Sequence, residues 1–136
     1  MQITIKSTKP LTKAHPDDMG WDIEASEDMT IYSNGRTYAV PTGIYMEIPK
    51  GWGAIIKERS GHALRHNLKV GGGVIDAPYR GELKVLLSTH DMSLDIKKGM
   101  KIAQLIFVQV PEIEWLVTSD LSPSDRGDKG FGSSGV

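Results

Sequence analysis

Cysteine is absent from the 136 residues, which excludes a disulfide frame, a thiolate zinc site and a cysteine nucleophile. No apolar run approaches the roughly 20 residues that cross a bilayer, and the start Met1-Gln-Ile-Thr-Ile-Lys6 does not read as a signal peptide. An excess of charge of either sign is missing too: 16 Lys and Arg stand against 17 Asp and Glu, for a net charge of -1. That balance argues against a protein that wraps a nucleic-acid duplex, which needs a strongly basic surface. Sustained helical periodicity is also lacking, since only Ser60 to His66 suits a helical turn or two. What remains is one soluble domain, expected in the cytoplasm, with no membrane and no stable nucleic-acid partner. Its content of 39% apolar and 24% charged residues suits a packed core.

Glycine (15) and proline (7) act as punctuation between short segments rich in β-branched residues. Ile3 and Ile5 alternate with Thr4 and Lys6, and Leu83, Val85 and Leu87 alternate with Glu82, Lys84 and Ser88. Such a period of two predicts half-buried strands. Lys101 to Val110 is mostly apolar and predicts a strand covered on both faces. Turn signals recur at Ser33-Asn-Gly35, Pro41-Thr-Gly43, Pro49-Lys-Gly51, Gly71-Gly-Gly73 and Lys97-Lys-Gly99. Many short strands without helices predict an all-β sandwich, jelly roll or barrel.

From Ser119 the composition turns to Ser, Asp and Gly, and the end from Arg126 to Val136 cannot build a packed element. On composition this tail is mobile. It nonetheless carries an Arg, a Phe and hydroxyls among glycines, and glycine-rich backbone can converge on an anion. Gly127 and Gly132 have the spacing of a Walker loop, but Ser133 stands where that loop needs Lys. His62 and His66 lie one helical turn apart, without the glutamate or third ligand of a zinc site. Two partly exposed polar residues on a short helix is the better account. The most informative stretch is Gly71-Gly-Gly73-Val74-Ile75-Asp76-Ala-Pro-Tyr79-Arg-Gly81. Glycines entering a short apolar strand let another molecule approach the backbone closely, and an Asp and a Tyr follow at the turn.

Taken together, five ordered segments resemble the five motifs of the trimeric dUTPases. They are Asp18-Met-Gly-Trp-Asp22-Ile23, Arg59-Ser60-Gly61, Gly73-Val-Ile-Asp76-Ala-Pro-Tyr79-Arg-Gly81, Gly99-Met-Lys-Ile-Ala-Gln104-Leu and Arg126-Gly-Asp-Lys-Gly-Phe131-Gly132-Ser133-Ser-Gly135. The resemblance runs over nearly the whole chain. Four positions depart from it: Met19 replaces a small residue, Glu58 a proline, Lys101 an arginine and Ser134 the commoner threonine. A carboxylate at position 58 is unfavourable if it points towards a triphosphate.

The resemblance implies a jelly-roll-like distorted barrel over residues 1–125 and a glycine-rich arm over 126–136 that closes the active site. It also implies a homotrimer with sites shared between subunits. The activity implied is Mg²⁺-dependent hydrolysis of dUTP to dUMP and pyrophosphate. That reaction limits uracil incorporation into DNA and supplies dUMP for thymidylate synthesis. By residue, the main chain at Gly73, Val74 and Ile75 would read uracil, and the Tyr79 ring would exclude a 2′-hydroxyl. Asp76 would orient the sugar 3′-hydroxyl and act as general base. Arg59, Ser60, Gly61 and Gln104 would bind the phosphates. Asp22 would touch Mg²⁺ only through water. Arg126 and Ser133 would hold the γ-phosphate beside Gly132, with Phe131 stacked over uracil. The alternatives are a dCTP deaminase-like relative, against which Asp76 and the full fifth motif speak, and a dUTP-gated protein-binding regulator.

Overall fold

The computed structural model describes residues 1–135; Val136, the last residue of the expected arm, lies outside the described residues. Eleven strands and one helix follow in the order β1 (Thr4–Lys6), β2 (Trp21–Glu24), β3 (Met29–Ile31), β4 (Tyr38–Val40), β5 (Tyr45–Glu47), β6 (Trp52–Lys57), α1 (Ser60–His66), β7 (Leu68–Gly71), β8 (Val74–Ile75), β9 (Val85–Thr89), β10 (Leu94–Ile96) and β11 (Lys101–Gln109). All the pairings are antiparallel. They form a four-stranded sheet in the order β2-β11-β6-β8, a three-stranded sheet β4-β9-β7, and the pairs β1-β5 and β10-β3. This is the all-β architecture the strand pattern predicts, in the jelly-roll-like form that the family resemblance implies.

Small sheets of this kind gain their stability by facing one core. Ile23, Ile31, Ile56, Leu68, Leu83, Leu87, Ile96, Ile102 and Leu105 are fully buried there, each contributing about 1.5–3 kcal/mol of burial. The alternation around residue 85 is observed with one shift: β9 begins at Val85, and Leu83 precedes it in a loop. Leu83 is still buried because its N–H bonds the Ile44 carbonyl at 2.8 Å. β11 is covered on both faces only in its first half, where Ile102, Ala103 and Leu105 are buried; from Ile106 to Val108 it is partly exposed. A register shift against β2 between Lys101 and Ala103 accounts for two successive buried residues there. Past the bulge, Gln104 stands opposite Asp22 of β2.

The helix occurs at the one place the sequence allows it. Seven residues without a single buried side chain do not hold a helix unaided. His62 Nε2 lies 2.7 Å from the Lys101 carbonyl, and Thr89 Oγ1 donates to the His66 carbonyl at 3.1 Å. These bonds tie α1 to β11 and β9. Asn67, in the left-handed region, ends it with its N–H on the His62 carbonyl.

Candidate active site

The loop from β6 into α1 carries Arg59, Ser60 and Gly61 to the rim of a cavity of about 470 Å³, shared with Asp22 and Gln104. Asp22 lies at its base with its side chain 9% exposed. Arg59 Nε is 3.3 Å from Asp22 Oδ1, and Lys101 Nζ is 2.9 Å from Oδ2. Lys101 approaches off the hydrogen-bonding direction, so Oδ2 is neutralised in charge yet accepts no directed hydrogen bond. A buried carboxylate needs such partners, and here two cations from different elements supply them. Gln104 Nε2 donates to the Glu58 carbonyl at 3.0 Å, fixing the start of the loop. Its side chain occupies the space a Cβ on Gly20 would need, only 2.1 Å from Gln104 Oε1.

The fold resolves the conflict raised by Glu58. Its side chain turns to β7, where Oε2 accepts the Val70 N–H at 3.0 Å, while Oε1 lies 3.1 Å from Lys57 Nζ. Burial alone would raise its pKa; the Val70 hydrogen bond and the Lys57 ammonium outweigh that, and the carboxyl titrates below its ordinary value. A depressed folded pKa stabilises the fold above the unfolded value of about 4.3, and this is lost as pH falls through the folded value. Glu58→Gln keeps an acceptor for Val70 but loses the charge. At pH 7 it is expected to lower Tm by about 1–3 °C, and below pH 4 the gap should close. A gap independent of pH would overturn the role of the charge.

The second cavity, about 560 Å³, is formed by the hairpin after β7 together with Tyr45 and Lys84. Gly73 has φ 93°, and its carbonyl accepts the Ile56 N–H at 2.7 Å. A Cβ there would lie 2.6 Å from the Ile56 carbonyl oxygen, so both backbone angle and space demand glycine. β8 then pairs with β6, Val74 opposite Ile55 and Ile75 opposite Ala54. Asp76 to Tyr79 is a turn closed by the Tyr79 N–H on the Asp76 carbonyl at 3.1 Å. The Tyr79 hydroxyl donates to the Glu82 carbonyl at 3.0 Å, and its ring lies against Gly81, where a Cβ would be 2.4 Å from that hydroxyl oxygen. Glu82 in turn accepts the N–H groups of Thr42 and Gly43 at 3.2 and 2.9 Å. The Tyr79 ring is thus held at the cavity rim, 46% exposed, beside an exposed Asp76 carboxylate.

Arg126, Phe131, Gly132 and Ser133 lie elsewhere, along an exposed stretch without strand or helix after β11. Its hydrogen bonds are local, such as Arg126 Nε to the Lys129 carbonyl at 2.7 Å. Phe131 is fully exposed, with φ 51°. One chain therefore brings the expected residues together in three separate groups: Asp22, Arg59, Ser60, Gly61 and Gln104; Gly73 to Asp76 with Tyr79; and the arm. Lys101 was legible only as a departure from the fourth motif. His62, Arg65 and His66 line the first cavity, whereas spacing alone left the two histidines as plain helix polar groups. Tyr45 and Lys84 had no signal in the sequence. Among the described residues no three His, Asp or Glu side chains gather as a metal cluster. With Asp22 as the carboxylate at the base of the cavity, the residues present fit a hydrated Mg²⁺ held through water, not direct coordination by several protein oxygens.

Residues 6–135 match the family model dUTPase. A deoxyuridine 5′-triphosphate nucleotidohydrolase of Gloeobacter violaceus is 41% identical over 128 residues, covering 91% of this chain and 87% of that one. One from Paramecium bursaria Chlorella virus 1 is 43% identical, covering 86% and 83%. Among solved structures, the Staphylococcus bacteriophage 80alpha dUTPase with dUpNHpp superposes with a TM-score of 0.88 at 27% identity, over 99% of both chains. A dUTPase mutant from phage phi11 of S. aureus, whose structure details coordination of a structural Mg(II) ion, shares the fold with a TM-score of 0.79 at 20% identity, over 88% of this chain and 98% of that one.

Proposed function

This chain belongs to the dUTPase family and acts as a dUTP diphosphatase, and on that premise we propose that Asp76 is the general base of a site divided between subunits of a homotrimer. A deaminase reading is not favoured, since the relatives are nucleotidohydrolases. The observation that carries the proposal is the hairpin itself: a glycine-walled backbone edge, a braced aromatic ring and an exposed carboxylate converge on one open cavity.

The main chain from Gly73 to Ile75 pairs with the acceptor–donor–acceptor edge of uracil, and its closeness leaves no room for a thymine methyl. Tyr79 packs under the deoxyribose and excludes a 2′-hydroxyl by contact. Asp76 orients the 3′-hydroxyl and takes a proton from a water aimed at the α-phosphorus. The new bond joins that water's oxygen to phosphorus; the bond to the α,β-bridging oxygen breaks, and pyrophosphate leaves with that oxygen. Arg59, Ser60, Gly61 and Gln104 hold the phosphates. Asp22 would hold Mg²⁺ through water, and the ion would supply charge neutralisation for the phosphates and the leaving pyrophosphate.

Sharing between subunits accounts for the separation of the three groups in one chain. It is supported by the extended segment after β11, where Ile113, Trp115, Leu116, Val117 and Leu121 are 64% to 93% exposed. An apolar run of this extent is covered by another surface in a stable protein. We assign that surface to a neighbouring subunit, and light scattering tests it. We also place the enzyme in the cytoplasm, in keeping with the absence, among the described residues, of any helix long and apolar enough to cross a membrane.

Pyrophosphate release measured in parallel on dUTP, dCTP, dTTP and UTP tests the assignment. Release from dUTP alone is expected; comparable turnover of dTTP would contradict the backbone wall. Tyr79→Ala is expected to lower the ratio of kcat/KM for dUTP over UTP by about 10–100-fold. Much of that fall should come from poorer dUTP turnover, because stacking area is lost as well. An unchanged ratio would place sugar selection on another residue.

A further inference from the structure

One face of α1 has no part in the chemistry described above. His62, Arg65 and His66 are spaced i, i+3 and i+4, which aligns them on one side of a helix, and all three line the cavity that holds Arg59 and Ser60. The two imidazole rings lie 5.6 Å apart with 35° between their planes. His62 Nε2 is 2.7 Å from the Lys101 carbonyl; a carbonyl only accepts, so Nε2 carries a proton and that N–H is committed to holding α1 on β11. Arg65 makes no ion pair among the described residues. Of the two carboxylates on the cavity wall, Asp22 is already matched by Arg59 and Lys101, and Asp18 accepts the His15 N–H at 2.9 Å. No α1 side chain is buried, so this face does not support the core. Basic groups in the last turn suit the carbonyl end of the helix, which accounts for their charge but not for their convergence on the cavity.

We infer that Arg65 and His66, on a helix that His62 ties to β11, form an anion subsite for inorganic pyrophosphate, engaging the leaving group of the reaction and retaining it as product. The Arg65 guanidinium and the His66 imidazole, on one helical face next to the residues assigned to the phosphates, match a multivalent oxyanion. The inference rests on the reading of this cavity as the phosphate side of the site. The uracil hairpin lies in the other cavity, so pyrophosphate and dUMP make separable demands on the protein.

The test is calorimetric titration of sodium pyrophosphate, in metal-free buffer, into the full chain and into Arg65→Gln, His66→Gln, the double variant and Arg65→Lys. Product inhibition of dUTP hydrolysis by pyrophosphate and by dUMP is measured alongside, with a thermal melt of each variant. Each Gln substitution is expected to weaken pyrophosphate binding about tenfold, and Arg65→Lys less than about threefold. Inhibition by dUMP and the melting temperature should stay as in the wild type. The subsite is overturned if the wild type does not bind pyrophosphate or if the double variant binds as tightly as the wild type. Equal weakening of dUMP overturns it as well, because the helix then only supports the whole site. Arg65→Lys behaving like Arg65→Gln also counts against it. Because the titration needs no turnover, a chain that fails to hydrolyse dUTP loses the reaction assigned here while the titration still decides the subsite.

Discussion

Asp76→Asn is expected to lower kcat by about 10²–10⁴-fold, the usual contribution of general-base catalysis, while dUpNHpp still binds. The side chain is exposed at the hairpin turn and makes no ion pair among the described residues. The turn is closed through its backbone carbonyl, which the substitution leaves intact. Melting temperature should therefore be unchanged. The water needs activating only in the transition state, so the loss falls on turnover and KM changes little. Some weakening of the analogue is expected from the altered contact to the 3′-hydroxyl. Full activity in the Asn variant would remove Asp76 from the base role and leave the hairpin as a recognition element alone.

Deleting Arg126 to Val136 is expected to cut kcat/KM for dUTP by about 10²-fold or more with the melt and the subunit mass of the assembly nearly intact. The described part of the arm is exposed almost throughout and its hydrogen bonds are local, as in Ser133 N–H to the Gly130 carbonyl at 3.1 Å and Gly127 N–H to the Ser124 carbonyl at 3.2 Å. None of its described residues belongs to the core, and the apolar segment from Ile113 to Leu121 stays in place. Phe131 points a fully exposed ring outward from a left-handed backbone, an arrangement with little to favour it unless a ligand or a neighbour covers the ring. Ordering the arm over nucleotide costs about 1–2 kcal/mol per residue; stacking and charge-assisted contacts from Arg126 and Ser133 offset that cost. Closure also excludes water and positions the γ-phosphate, effects felt mainly during turnover. Phe131→Ala alone should cost less than the deletion. An active truncation, followed by pyrophosphate release on the same preparation used for light scattering, would reduce the arm to the loose tail its composition describes.

Much of this was legible in one dimension. The alternation at Ile3 and at Val85, the lone helical stretch after Arg59 and the glycines before Val74 all report local backbone demands. Local demands are written where they act. Gly73 is glycine because of its own φ and because the Ile56 carbonyl fills the space of a side chain, and the sequence marks that place as one of close approach. The roles proposed for Asp76, Tyr79 and Arg59 likewise start from the residue types themselves. The direction of the Glu58 side chain was not legible, because it depends on the Val70 N–H twelve residues on and on the course of β7.

By itself, then, the sequence determined the strand-rich class, the turn positions and which side chains stand as candidates for the site, all of which rest on residue type and near neighbours. Tertiary structure alone decided which of those groups share a wall. Asp22, Arg59 and Lys101 come from three distant parts of the chain and meet only through the pairing of β2, β11 and β6, with a bulge that sets the register. The same pairing left the hairpin and the arm in places of their own and turned the histidines of α1 onto the cavity lined by Arg59 and Ser60. Strand pairing depends on burying one common core, and that condition belongs to the whole chain and to no single segment of it.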